Sequence, residues 1–175
     1  MLKSFFHVLL FSCFAATACA QGEQEANLKA AFIYNFTKYI DWNFDATETN
    51  ENDFVIGVIG NSPVTASLNE IAKENRVGYK RIVVRVFNSP EDIGSCNILF
   101  IPRRSPFSLR SILEKVRKGT LTISEEAGFA RQGTAFNFVI INDKLKFETN
   151  LKAIASAGLK AGSQLLKLAI IVDNS

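Results

Sequence analysis

The side chains that do nucleophilic or metal chemistry are scarce in this sequence. It holds one histidine and three cysteines. The histidine is His7, and Cys13 and Cys19 also fall in the first twenty residues. That segment opens with Met1-Leu2-Lys3, continues as the short apolar run Phe5 to Phe14 and ends in Ala18-Cys19-Ala20. This is the layout of a secretory signal peptide cleaved after Ala20. Residues 1–20 are therefore expected to be a leader, and residues 21–175 a single domain. Such a mature chain has no imidazole and one thiol, Cys96. It cannot build a Ser-His-Asp or Cys-His pair, and it lacks the commonest zinc ligand. No acidic loop has calcium-site spacing, and no phosphate-binding glycine loop is present. Gly57-Val58-Ile59-Gly60 resembles one only weakly, because Gly57 lies inside a predicted strand. Adjacent Glu125 and Glu126 could in principle serve a carboxylate-based hydrolase, but neighbouring side chains diverge. The expectation is a protein without catalytic residues, metal or cofactor.

Residues able to bind are more numerous. Gly60-Asn61-Ser62-Pro63, Pro102-Arg103-Arg104-Ser105-Pro106 and Ser124-Glu125-Glu126 each follow a predicted strand. In an open parallel sheet such turns lie at the carboxyl edge, where ligands bind. Ser62-Pro63 and Ser105-Pro106 also read as helix caps followed by an N1 proline. With Arg103 and Arg104 beside them, Ser62 and Ser105 form a candidate small-anion site. Ordinary caps and solvated charges leave the same signature. Cys96, at the entrance of an apolar strand, reads as a buried free thiol, with pairing between chains as the alternative.

The elements that must position these residues follow from periodicity. A helix is expected over 25–42, with Leu28, Ala31, Phe32, Phe36, Tyr39, Ile40 and Trp42 on one wide face and Asn35 in its middle. Tyr34 projects to the polar side near Lys38, which makes the two a candidate partner contact. Residues 45–53 are almost all Asp, Glu, Thr or Asn and read as a solvated loop. Strands are predicted at 54–59, 81–86, 97–101 and 120–123, with helices at 63–73 and 106–118. Residues 135–141 and 145–148 flank Asn142-Asp143-Lys144 as a hairpin. Asn150 then caps a helical region that runs to about 171 and breaks near Gly162-Ser163. Its Gln164 and Lys167 complete the candidate partner surface. The alternation implies an α/β fold: a mainly parallel sheet with flanking helices, closed by a C-terminal β-hairpin and helix, a Rossmann-like three-layer sandwich.

Charge narrows the partners. Lys and Arg number 20 against 17 acidic residues, and 19 without Lys3. That excess is too small to imply nucleic acid or an anionic membrane surface. No later apolar run is long enough to span a bilayer.

Several segments, in order, resemble the YfiR-like family of secreted proteins. They are Lys29-Ala-Ala-Phe-Ile-Tyr-Asn-Phe-Thr-Lys-Tyr-Ile-Asp-Trp42, Asn97-Ile-Leu-Phe-Ile101, Leu121-Thr-Ile-Ser-Glu-Glu-Ala-Gly-Phe129, Phe147-Glu-Thr-Asn150 and Gly158-Leu-Lys-Ala-Gly-Ser-Gln-Leu-Leu-Lys-Leu168. The resemblance covers nearly the whole mature chain. It implies a periplasmic α/β protein that represses an inner-membrane diguanylate cyclase by contacting its periplasmic sensor domain. It further implies sequestration by an outer-membrane lipoprotein, and a homodimer. The rival reading from the residues alone is a periplasmic small-ligand receptor using the carboxyl-edge turns. Two departures from the family stand out. The first strand lacks the cysteine that can pair with the one before the Ile-Leu-Phe-Ile strand, and Ala161-Gly162-Ser163 replaces an aliphatic-Ser-Ser step.

Overall fold

The computed structural model describes residues 22–42 and 52–173. The expected leader, with His7, Cys13 and Cys19, lies outside the described residues, as does most of the acidic loop. Helix α1 spans 22–36 and is followed by β1 (Ile40–Asp41), β2 (Asp53–Ile59), α2 (Val64–Glu74), β3 (Arg76–Val77) and β4 (Lys80–Phe87). After a 3₁₀ turn at Pro90–Asp92 come β5 (Ile98–Ile101), α3 (Leu109–Leu113), β6 (Leu121–Ser124) and the hairpin β7 (Phe136–Ile141) and β8 (Lys144–Thr149). The chain closes with α4 (Leu151–Ser156), β9 (Lys160–Ala161), α5 (Ser163–Leu166) and β10 (Ile170–Ile171).

Eight strands form one sheet in the order β10-β8-β7-β6-β5-β2-β4-β3. The central run β4-β2-β5-β6-β7 is parallel. β8 and β3 join antiparallel to β7 and β4, so the sheet is mixed at both ends. β2 is buried at every position, as a strand covered on both faces must be. The α/β class and the three layers hold. On one face α1, α2, α4 and α5 pack over Phe54, Ile56, Val58, Phe100, Phe136 and Phe147. On the other, α3 and its flanking loops cover Val55, Ile59, Leu99 and Ile101. The phenylalanines concentrate under α1, where the Phe36 ring lies 4.7 Å from Phe136 and 4.9 Å from Phe147. The five parallel strands have the 2-1-3-4-5 order of a doubly wound sheet, so chain direction across the sheet reverses between β2 and β5.

Two glycines explain the weak phosphate-loop look-alike. A Cβ at Gly57 would stand 2.6 Å from the Phe87 ring, so glycine there admits an aromatic from the neighbouring strand. Gly60 turns the chain after β2 with φ +75°. In the β7–β8 hairpin, Asn142 and Asp143 take φ of +51° and +57°, the left-handed pair that a two-residue type I′ turn requires.

Several expectations need correction. Helix α1 spans 22–36 among the described residues, so 37–39 turn into β1. Its buried face is Ala26, Lys29, Ala30, Ile33 and Phe36, whereas Leu28, Asn35 and Tyr39 are exposed. The projection was rotated because it carried the helical period through the turn as far as Trp42. The helix expected at 106–118 shrinks to Leu109–Leu113. Its cap is Ser108, whose Oγ accepts the Ser111 N–H at 3.1 Å, and not Ser105. The C-terminal helical region is two short helices separated by β9 and followed by β10.

Candidate functional site

The carboxyl edge of the parallel strands gathers the turns after β2, β5 and β6. Lys29, on α1, is 6% exposed, and its Nζ meets the Glu125 carboxylate beyond the end of β6. Glu25, one turn earlier on α1, lies 2.5 Å from the same Nζ. Glu125 is committed on both oxygens. Its Oε2 faces Lys29, and its Oε1 accepts the Arg103 N–H at 2.7 Å. The Arg103 guanidinium reaches the same residue, with Nε donating to the Glu125 carbonyl at 3.3 Å. A base needs a free lone pair aimed at a substrate proton, and Glu125 is placed instead to lock α1, the β5 turn and the β6 turn together. Glu126 is turned to its own neighbour, accepting the Ala127 N–H.

The other predicted anion ligands lie in these turns, where the two serines bond the backbone. Buried Ser62 accepts the Val64 N–H through Oγ at 3.2 Å. Ser105 accepts the Phe107 N–H at 3.3 Å. Arg104 is exposed with a left-handed φ of +62°. Beneath them a buried chain of polar groups runs inward. Ser124 Oγ lies 2.8 Å from Thr134 Oγ1 and donates to Asn137 Oδ1, and Asn137 Nδ2 donates to Glu148 at 3.1 Å. Sequence reading missed Lys29. The Glu25–Lys29 spacing of four residues was visible, but Glu125 is 96 residues away.

Cys96 is buried and free of any disulfide, and burial pushes its thiol up to about 12. Such a thiol stays protonated and is a poor nucleophile. Among the described residues, no cluster of three or more His, Cys, Asp or Glu could hold a metal ion. Nor is any described helix long and apolar enough to cross a membrane.

The second candidate surface assembles at the short antiparallel ribbon of β1 and β9, where Ile40 pairs Ala161 and Asp41 pairs Lys160. Gly162 anchors it, donating its N–H to the Tyr39 carbonyl at 2.7 Å. A Cβ on Gly162 would press to 3.3 Å from that oxygen. Beside the ribbon opens a groove of about 490 Å³ bordered by Lys38, Tyr39, Asp41, Lys160 and Gln164. Lys38 and Gln164, proposed from opposite ends of the sequence, thus meet in one groove. Tyr34 is half-buried, and its ring carries the Lys38 ammonium at 4.5 Å. Lys167 is exposed just past α5, outside the groove lining, next to Leu168, which is 73% exposed.

No curated protein matches the chain. The YfiR/HmsC-like family model matches residues 26–170, from the buried face of α1 through the ribbon to β10. The chain therefore belongs to the YfiR/HmsC-like family.

Proposed function

We propose that this protein is a periplasmic regulatory binding protein that represses a membrane signalling protein, a diguanylate cyclase, by occupying its periplasmic sensor domain. Family membership supports a periplasmic regulator linked to diguanylate cyclase signalling. The observation that carries the surface assignment is the meeting of Lys38 and Gln164 in the β1–β9 groove. Tyr34 steadies Lys38 through its ring, and exposed Lys167 and Leu168 extend the surface outward. A binder of this kind acts by preferring one state of its partner. Driving a two-state sensor from 99:1 to 1:99 requires roughly 10⁴-fold tighter binding to the inactive form. An outer-membrane lipoprotein that covers the same groove would release the cyclase, and a second copy of the chain would compete for it.

The test combines genetics with capture. Deleting the gene should raise cellular cyclic-di-GMP, and the full chain carrying Lys38→Glu with Gln164→Ala should fail to restore repression at normal periplasmic abundance. A photo-crosslinking residue at position 164 should capture an inner-membrane protein in living cells. Unchanged cyclic-di-GMP on deletion, with no membrane protein captured, overturns the reading.

A further inference from the structure

We propose that the open edge of β4 receives an extended acidic segment of a partner protein as an added strand. The surface is separate from the β1–β9 groove, and the inference uses none of that groove's residues. It starts from the backbone. β4 pairs with β2 from Asp53↔Arg81 to Ile59↔Phe87 without a register break. Arg81 donates its N–H to Asn52, and the Phe87 carbonyl accepts from Gly60. The odd-numbered residues of β4 therefore turn their peptide groups toward β2. Ile82, Val84 and Val86 turn theirs the other way, because successive residues of a strand alternate in direction. On that outer side β3 pairs only as far as Arg81. Beyond it, the N–H and C=O of Val84 and Val86 have no strand partner among the described residues. An edge of this kind is a template for a further strand.

Natural edges are usually blunted, and this one is blunted by charge alone, through Arg81 and Arg85. β4 carries no proline, Val86 is 47% exposed, and Val84 is half-buried against the α2 side. At its starting end the edge runs into a groove of about 410 Å³ bordered by Lys73, Glu74, Asn75, Arg76, Arg81 and Ile82, three cations against one carboxylate. That groove can seat the end of an incoming chain.

Charge selects the occupant. Arg81 and Arg85 project from the same face of β4, and Arg76 stands at the groove. Arg81 is held by Asp53 at 2.7 Å. Exposed Arg76 and Arg85 make no ion pair with any described residue. A second copy pairing antiparallel on this edge is disfavoured by the same residues. A two-fold centred on Val83 sets Arg81 opposite Arg85. One centred on Arg85 sets Arg85 against itself. One centred on Val84 brings the two Arg85 side chains to a diagonal spacing of about 7–8 Å. Like charges so placed destabilise a pairing, whereas carboxylates at alternate positions of a foreign strand would meet Arg85 and Arg76 favourably.

The test uses the full chain and a labelled peptide, Thr-Glu-Val-Glu-Val-Glu-Val-Glu-Thr, with binding read by fluorescence anisotropy. A control peptide carries Lys for every Glu, and another is N-methylated at alternate amides. The acidic peptide should bind, the Lys peptide should not, and N-methylation in one of the two phases should abolish binding. Val84→Pro deletes only an outward N–H, which an edge strand tolerates. It should weaken binding about tenfold, the loss expected for one or two hydrogen bonds. Arg85→Glu should weaken the acidic peptide by a similar factor and admit the Lys peptide. If Val84→Pro does not fold, Arg85→Glu and the methylated peptides decide the matter alone. No binding at about 1 mM, equal binding of both peptides, or indifference to Arg85→Glu and to methylation overturns the proposal. A dimer in sedimentation that Val84→Pro abolishes does so too, in favour of a second copy.

Discussion

A buried ammonium is costly unless a carboxylate meets it, and Lys29 is met by two. Glu25 is substantially exposed, so its share is small, at most about 1 kcal/mol. Glu125 is buried, so removing Lys29 strands a carboxylate inside the protein. Lys29→Met should cost about 3–5 kcal/mol in urea unfolding. Adding Glu125→Gln keeps an acceptor for the Arg103 N–H while removing the charge, and should recover most of that loss. If the double variant is as unstable as the single one, Lys29 stabilises by packing rather than by charge. Cys96 gives a second prediction at this scale. Burial raises its thiol from 9.0 to about 12, so the folded state holds the proton more tightly than the unfolded one. The associated stability is complete below pH 9 and declines as pH rises toward 12, by about 1.4 kcal/mol per pH unit. Cys96→Ala should lack that part of the slope when both proteins are unfolded in urea between pH 9 and 11.

At the scale of elements, the legibility of the sequence followed the range of the forces involved. The parallel strands were readable because a strand buried on both faces is a bare apolar run, and Phe54–Ile59 is one. The two-residue strands β1, β3, β9 and β10 were not, since each exists only through a partner distant in sequence or a turn no period reports. The C-terminal region misled because Leu151 to Ile171 keeps a helical look across Gly158. There the Leu159 N–H bonds the Ile154 carbonyl and the Gly158 N–H bonds that of Ala155, a Schellman ending with glycine at φ +75°. Gly158 was therefore the readable stop signal, and Gly162 serves the ribbon instead. Of the candidate site, Lys38 and Gln164 were legible as exposed residues, although Lys38 sits in the turn after α1, while the Lys29–Glu125 lock was not. Asn150 was legible as a cap, accepting the Ala153 N–H at 3.0 Å. Its second task was hidden: Nδ2 donates to the Ala130 carbonyl at 2.7 Å in a fully buried setting. Cap loss alone costs about 1 kcal/mol; the Ala130 carbonyl keeps the Gly133 N–H at 3.2 Å, so losing the Asn150 donor adds the net worth of one hydrogen bond, about 0.5–1.5 kcal/mol. Asn150→Ala should thus destabilise by about 1.5–2.5 kcal/mol in thermal or urea unfolding. A loss near 1 kcal/mol would mean that the Ala130 contact contributes nothing.

For the whole molecule, the groove depends on joining the two ends of the described chain. α1 delivers Lys38 and β1, and the segment after α4 delivers β9 and Gln164. Among the described residues the ribbon's backbone is held by a two-residue pairing and one Gly162 hydrogen bond, with Ile40 buried in the core below. Its position therefore rests on the aromatic packing beneath α1, where Phe36 is buried against Phe136 and Phe147. The core on the opposite face, under α3, has no part in it, and Ile112 is fully buried there. Phe36→Ala and Ile112→Ala should each cost several kcal/mol, roughly 2–5, yet differ in where the damage falls. Native-state hydrogen exchange should find that Phe36→Ala lowers protection of Ile40, Asp41, Lys160 and Ala161 beyond the global loss. Ile112→Ala should reduce protection across β5 and β6 while sparing that excess at the ribbon. On the proposed function, repression of cyclic-di-GMP signalling should follow the ribbon, failing in Phe36→Ala at temperatures where both variants remain folded. If both variants weaken ribbon protection and repression equally, the groove is tied to global stability alone, and α1 is not what holds it in shape.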